Sequence, residues 1–211
     1  MLPSAIFALA TLCFGAASAS LTCKSESQPN PIPKAGGTNP TGTINGTIAI
    51  LPIPLEEARR IIGDNYTIQT GAYHSQLPTF PGNMYPALLQ AVVDHDVQAN
   101  GVSIPDFSRV SIEFPFLSIP GANPNTLFRL APIQAISATN PVALAGSAAY
   151  GTRVLAAVFD PPCDAYASLE GAPLTIFDAR KPARAAIAGD TLFTSAFATV
   201  GGGTEGGDVG P

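Results

Sequence analysis

The sequence has few side chains that can carry out chemistry. Its 211 residues include no tryptophan and two histidines, and charged residues make up only 12%, about half of the usual share of roughly 25%. The histidines and the lysines are His74, His95, Lys24, Lys34 and Lys181. This scarcity leaves few positions for a nucleophile or a proton-transfer group. The net charge of −5 also argues against a nucleic-acid partner, because such partners are bound through clustered lysine and arginine.

The N-terminus has the pattern of an export signal. An apolar run over residues 5–10 leads to the small-residue sequence Ala17-Ser18-Ala19, which is typical of a secretory signal peptide over residues 1–19. Elsewhere the sequence shows no apolar run near the ~20 residues that a membrane-spanning helix needs. We therefore expect a secreted, extracellular protein without a membrane partner. Residues 20–41, rich in Ser, Pro, Asn and Gly, are predicted to form an extended arm.

Two further patterns agree with secretion. Without the signal peptide, Cys23 and Cys163 are the remaining cysteines, and an even number in an oxidising compartment predicts one disulfide between them. The alternatives are two unpaired thiols or partners on another chain. Asn45 and Asn65 each begin an N-glycosylation sequon without proline at its middle position, which indicates a glycoprotein from a eukaryote.

Proline and glycine divide the chain into short elements. With 21 Pro and 20 Gly, the composition favours short strands and turns over long helices. Helices are predicted over residues 54–63, 85–95 and 141–150. Strands are predicted over residues 44–51, 109–116, 126–137 (broken at Pro132), 152–159, 174–177 and 191–200. This pattern indicates an α+β fold that is mainly β, and residues 201–211 are predicted to be a disordered Gly-rich tail.

One predicted strand separates polar from apolar side chains. Over residues 109–116, Val110 and every second residue after it are apolar, while Arg109, Ser111 and Glu113 alternate with them. This alternation is typical of a strand with one face in a core or cavity.

The densest polar cluster is Asp94-His95-Asp96. A carboxylate there could orient His95 as an acid or a base, with Glu113 as a distant partner. The alternative is structural, because the predicted helix ends there and histidine is favourable at that end. A metal site with His74 lacks diagnostic spacing, so neither a metal nor a cofactor is predicted. Ser147 lacks the complete Gly-x-Ser-x-Gly pattern and is expected to be a packed small residue.

Two segments carry a family resemblance. Residues 43–62, with the run Ile53-Pro54-Leu55-Glu56-Glu57-Ala58-Arg59-Arg60, and residues 141–159, with Gly146-Ser147-Ala148-Ala149-Tyr150-Gly151-Thr152-Arg153, are similar to parts of the acetoacetate decarboxylase-like β-barrel family. More closely, Asn83-Met84-Tyr85-Pro86 and Phe159-Asp160-Pro161-Pro162-Cys163 resemble segments of a group of secreted fungal proteins. The resemblance spans about residues 42–167.

The resemblance implies an antiparallel, barrel-like sheet over residues 42–200 with a largely apolar cavity. In the decarboxylases this cavity holds a Schiff-base lysine whose pKa is lowered by a neighbouring cation. The matching stretch here ends in Arg153 and contains no lysine, and arginine cannot replace an amine nucleophile. Lys181 is expected at the surface. The Gly-rich tail adds the alternative of a barrel truncated at its C-terminus.

Three functions follow as alternatives. The first is the binding of a small apolar or ketonic molecule in the cavity, with polar contacts from Arg109, Glu113, Tyr150 or Arg153. The second is a lyase or isomerase that acts on an enolisable substrate without a lysine and uses His95 or Glu113 as acid or base. The third is a structural or host-interaction protein.

Overall fold

The computed structural model describes residues 29–33, 39–99, 101–123, 125–164, 166–168, 174–183 and 191–198. The predicted signal peptide, most of the predicted arm and the Gly-rich tail lie outside these residues. The fold is α+β and mainly β, as predicted, with one strongly curled sheet that forms a half-barrel. None of the helices in the described ranges is long and apolar enough to span a membrane.

Eleven strands and three helices make up the described part of the chain. The strands are β1 (Thr41–Pro54), β2 (Thr67–Ile68), β3 (Met84–Ala99), β4 (Val102–Ile104), β5 (Phe107–Ser118), β6 (Phe128–Leu130), β7 (Ile133–Ser137), β8 (Arg153–Asp160), β9 (Ala167–Ser168), β10 (Leu174–Arg180) and β11 (Thr191–Ala198). The helices are α1 (Leu55–Ile62), α2 (Thr70–Gln76) and α3 (Pro141–Ala149).

The main strands follow the order β1-β3-β5-β7-β8-β10-β11. All pairs are antiparallel, as expected, except the parallel pair of β7 and β8. Parallel neighbours need a crossover connection, and α3 supplies it. Helix α3 packs near Phe107 and Ile136, so the crossover lies against the face of the sheet that carries these two side chains.

The sheet has an apolar concave face. Leu192 of β11 and Ile112 of β5 line one pocket although three strands separate them in the sheet order, so the sheet curls toward that face. Two apolar clusters fill it. The first contains Leu89, Val110, Ala157 and Phe177, and the second packs α1 and α2 against the sheet. The opposite, convex face carries α3.

The predicted helix over residues 85–95 is wrong. These residues belong to β3, which pairs with β1 along one edge and with β5 along the other. Apolar spacing of three to four residues suggested a helix, but both faces of the strand are buried here. A strand that is covered on both sides reads as a continuous apolar run, which cannot be separated from a buried helix by spacing alone.

The other predicted elements are found close to their predicted bounds. In α1, Glu56 and Glu57 occupy the first turn, and Gly63 ends the helix with a positive φ of 73°. β1 runs on past its predicted end at Pro52, which an edge strand tolerates because its outward N–H groups need no partner in the sheet. Helix α2 was not predicted from the sequence.

Candidate functional site

The concave face holds a pocket of about 300 Å³. Nine of its ten lining residues are apolar, and the tenth, Ser111, turns its hydroxyl to Glu113 on the convex side. We call this space the concave pocket. Its lining includes Ile61, Val110, Ile112, Phe114, Ile133 and Leu192. The apolar half of the alternation in β5 thus faces a pocket.

Three isoleucines of the concave pocket are exposed to solvent. Ile61 is 41% exposed, Ile112 40% and Ile133 42%, and they come from a helix and two neighbouring strands. Other residues of its lining are buried, among them Val110 at 5% and Phe114 at 2% exposure. The pocket can therefore accept an apolar molecule.

The convex face carries a buried polar network on β3 and β5. Paired residues of antiparallel strands share a face, so the register places Gln90 beside Ser111, and Asp94 and Glu113 on the same face as Arg109. The carboxylate of Asp94 accepts hydrogen bonds from Nε and Nη2 of Arg109, at 2.8 and 3.2 Å. Nη1 of Arg109 donates to Gln90 at 2.9 Å.

Asp94 and Arg109 form a largely buried ion pair. The two side chains are only 11% and 12% exposed. Burial lowers the pKa of Arg109, but the charges of Asp94 and Glu113 and the Asp94 hydrogen bond outweigh it, so the pKa is raised overall. The guanidinium therefore stays protonated, and its charge is balanced within the fold.

Glu113 is a structural member of the same network. It is 1% exposed, and its Oε1 accepts a hydrogen bond from Ser111 at 2.8 Å and lies 3.7 Å from Nη1 of Arg109. Nε of Arg129 lies 2.7 Å from the other oxygen, but that N–H is not directed at it, so this contact is an ion pair without a hydrogen bond. Two arginines and two carboxylates thus balance to zero net charge.

A second cavity, of about 570 Å³, lies between α3, the predicted arm and the convex face. We call it the helix-side cavity. Its polar lining comprises Thr41, Asp94, Arg109, Gln134, Ser147, Tyr150 and Thr152, and Ile32, Ile44, Val97 and Phe107 are among its apolar walls. The fold thereby brings together two of the predicted ligand-binding residues, Arg109 and Tyr150. Tyr150 follows α3 directly and is 73% exposed.

His95 lines neither cavity. Its Nδ1 is 2.7 Å from Oδ2 of Asp106, and its Nε2 is buried without a hydrogen-bond partner in the described structure. Glu113 pairs with Leu88, seven residues before His95 on β3, so about 23 Å of strand separates the two proposed acid–base groups. His95 and Glu113 are therefore not brought together, and His95 lies on a strand instead of a helix end.

The remaining predicted residues are widely spread. Arg153 begins β8 with an exposed side chain and lines neither cavity. Asn65 is exposed in the turn after α1, whereas Asn45 is half-buried within β1. Cys163 lies in the turn after β8, and Cys23 falls outside the described residues, so the disulfide stays a prediction.

Three partners of the predicted polar residues were not predicted from the sequence. Asp106, Gln90 and Arg129 gave no recognisable signal, because each joins its partner through strand pairing. Groups of His, Cys, Asp and Glu suited to a metal ion are absent among the described residues. His74 lies on α2, where its ring contacts Tyr73.

Comparisons with known proteins give no relative for this chain. No family model matches it, and no match was found among the curated proteins or the solved structures.

Proposed function

We propose that the protein binds a small apolar molecule in the concave pocket. The observation that carries this proposal is the set of three accessible isoleucines around one apolar space of about 300 Å³. That volume is at the lower end of the roughly 300–1,000 Å³ of small-molecule sites. Covering the exposed surface is favourable by about 25 cal/mol for each Å² removed from water.

The position of the polar network limits the chemical class of ligand that suits the concave pocket. Arg109 and Glu113 were expected to supply polar contacts in an apolar cavity, but their side chains lie on the convex face. A ketone in the concave pocket would lose hydrogen bonds to water without gaining a charged or amide side chain as partner, at a cost of about 1–3 kcal/mol. The geometry therefore favours an apolar ligand over a ketonic one at this site.

The acid–base alternative has no comparable support. Neither His95 nor Glu113 lines the concave pocket or the helix-side cavity. Lys181 is exposed after β10, so Schiff-base chemistry is not part of the proposal. The relationship to the acetoacetate decarboxylase-like family is kept as a proposal. Its support is the half-barrel and the order of α3 before β8.

A fluorescence titration tests the binding proposal. The full chain, which contains no tryptophan, is titrated with the uncharged probe N-phenylnaphthylamine, whose emission rises in apolar surroundings. Ile112→Gln should weaken binding about tenfold. A ligand covering the 40% of Ile112 that is exposed, roughly 60 Å², gains about 1.5 kcal/mol there.

The matched control is Ile48→Gln. Ile48 is 59% exposed, but it pairs with Gln90 and so lies on the convex face. Its substitution should leave the affinity unchanged. Equal losses in the two variants, or no saturable binding by the natural chain, would count against the concave pocket.

Secretion and glycosylation belong to the same proposal. The supporting feature in the described structure is Asn65, which is exposed in the turn between α1 and β2. Expression of the full chain in a eukaryotic secretory host should release a protein that begins at Ser20. Asn65→Gln should then remove one glycosidase-sensitive mass shift, and intracellular retention with an intact N-terminus would refute this part.

A further inference from the structure

We infer that the helix-side cavity is a second binding site, selective for an uncharged molecule with a hydrogen-bond acceptor such as a ketone, ester or amide carbonyl. It lies on the opposite face of the sheet from the concave pocket, so the inference stands independently of the proposed function. Its volume of about 570 Å³ is well within the range of small-molecule sites.

Charge balance in the cavity wall selects against ions. Arg109 would attract a carboxylate if its charge were open, but Asp94 already holds it through two hydrogen bonds. The wider network, with Glu113 and Arg129, also sums to zero. A charged ligand would give up its hydration without meeting a net countercharge, which is expensive for a buried ion.

Hydrogen-bond donors remain for a neutral acceptor. Arg109 has five N–H groups, of which three serve Asp94 and Gln90 in the described structure. Ser147 and Thr152, whose side chains carry hydroxyl groups, line the same space. A carbonyl placed there can accept a hydrogen bond, while the apolar walls cover the rest of the molecule.

The cavity wall is formed by parts of the chain that come together only in the fold. Asp94 lies on β3, Arg109 on β5, and Ser147 on the crossover helix α3. Ile32, from the predicted arm, also lines the space, and the neighbouring Asn30 is held by hydrogen bonds to Asp96 and Thr41. A ligand would therefore contact the arm, the sheet and the helix at once.

Three probes of nearly equal size test the selectivity: phenylacetamide, phenylacetate and phenethylammonium. The isotope-labelled full chain is titrated with each at neutral pH, and saturable shifts of the Gln134 side-chain amide and the Thr152 backbone amide give Kd. We expect phenylacetamide to bind at least about tenfold more tightly than either ion. Equal or tighter binding of phenylacetate would overturn the inference, as would the absence of saturable shifts with all three probes.

Two variants of α3 locate the site. Ser147→Leu places a branched side chain in the cavity and should weaken phenylacetamide binding at least about tenfold. Ala148→Leu makes a similar change at the next residue, which is exposed and does not line the cavity, so binding should be unchanged. Unaltered binding in Ser147→Leu would refute the location. Ile112→Gln should leave phenylacetamide binding intact, which separates failure of this inference from failure of the concave pocket.

Discussion

Replacement of Asp94 by asparagine should destabilise the fold markedly. The carboxylate holds Arg109 through two hydrogen bonds, and both side chains are about nine-tenths buried. Removing one partner of a buried ion pair costs about 3–5 kcal/mol because the other charge is left uncompensated. Asparagine keeps one acceptor oxygen and Glu113 remains nearby, so we expect a loss of about 2–3 kcal/mol. That corresponds to a fall in Tm of roughly 4–12 °C in a domain of this size.

Urea denaturation followed by far-ultraviolet circular dichroism measures this loss. Glu57→Gln is the matched control, because the pair of Glu57 and Arg60 is largely in water, with exposures of 43% and 71%. Glu57→Gln should unfold at the same urea concentration as the natural chain. In a double-mutant cycle, Arg109→Met combined with Asp94→Asn should cost less than the sum of the two single changes. If Asp94→Asn unfolds at the same urea concentration as Glu57→Gln, the reasoning about the buried network is wrong.

Two further predictions concern backbone contact and alkaline stability. A methyl group at Gly46 would lie 2.6 Å from Cα of Val92, so Gly46→Ala should lower the free energy of unfolding by about 1–3 kcal/mol. Gly71 has open space around it, so Gly71→Ala should not lower the free energy of unfolding. Equal urea midpoints for the two variants would contradict this prediction. Burial raises the pKa of Tyr85 in the folded protein. The unfolded chain therefore loses the phenolic proton of Tyr85 at a lower pH than the folded protein, and stability should fall as pH rises above about 10. Tyr85→Phe should make that fall shallower in urea midpoints measured from about pH 9 to 11, and an unchanged slope would contradict the assignment.

Local patterns predicted most elements of the fold. Helix α1 could be predicted because its acids, bases and terminal Gly63 all lie where an isolated helix favours them. β3 could not, because Tyr85 to His95 has a spacing that suits a helix and becomes a strand only through its pairing with β1 and β5. Tertiary contacts decide whether such segments form a helix or a strand.

The candidate sites depended still more on the fold. Alternation in β5 correctly divided Val110 from Arg109, but it could not say which face is concave. The partners of His95 and Glu113 are set by strand register and by the β5–β6 connection. Arg109 and Tyr150 meet only because α3 crosses the convex face, a consequence of the parallel pair of β7 and β8.

The central claim is that an apolar molecule occupies the concave pocket, and isoleucine methyl resonances test it most directly. The isoleucine-labelled full chain is titrated with N-phenylnaphthylamine, with single Ile→Val variants giving the assignments. We predict saturable shifts at Ile61, Ile112 and Ile133, with none at Ile48 and Ile50, which lie on the convex face and line neither cavity. Shifts confined to Ile48 and Ile50, or none at any of the five, would contradict the account.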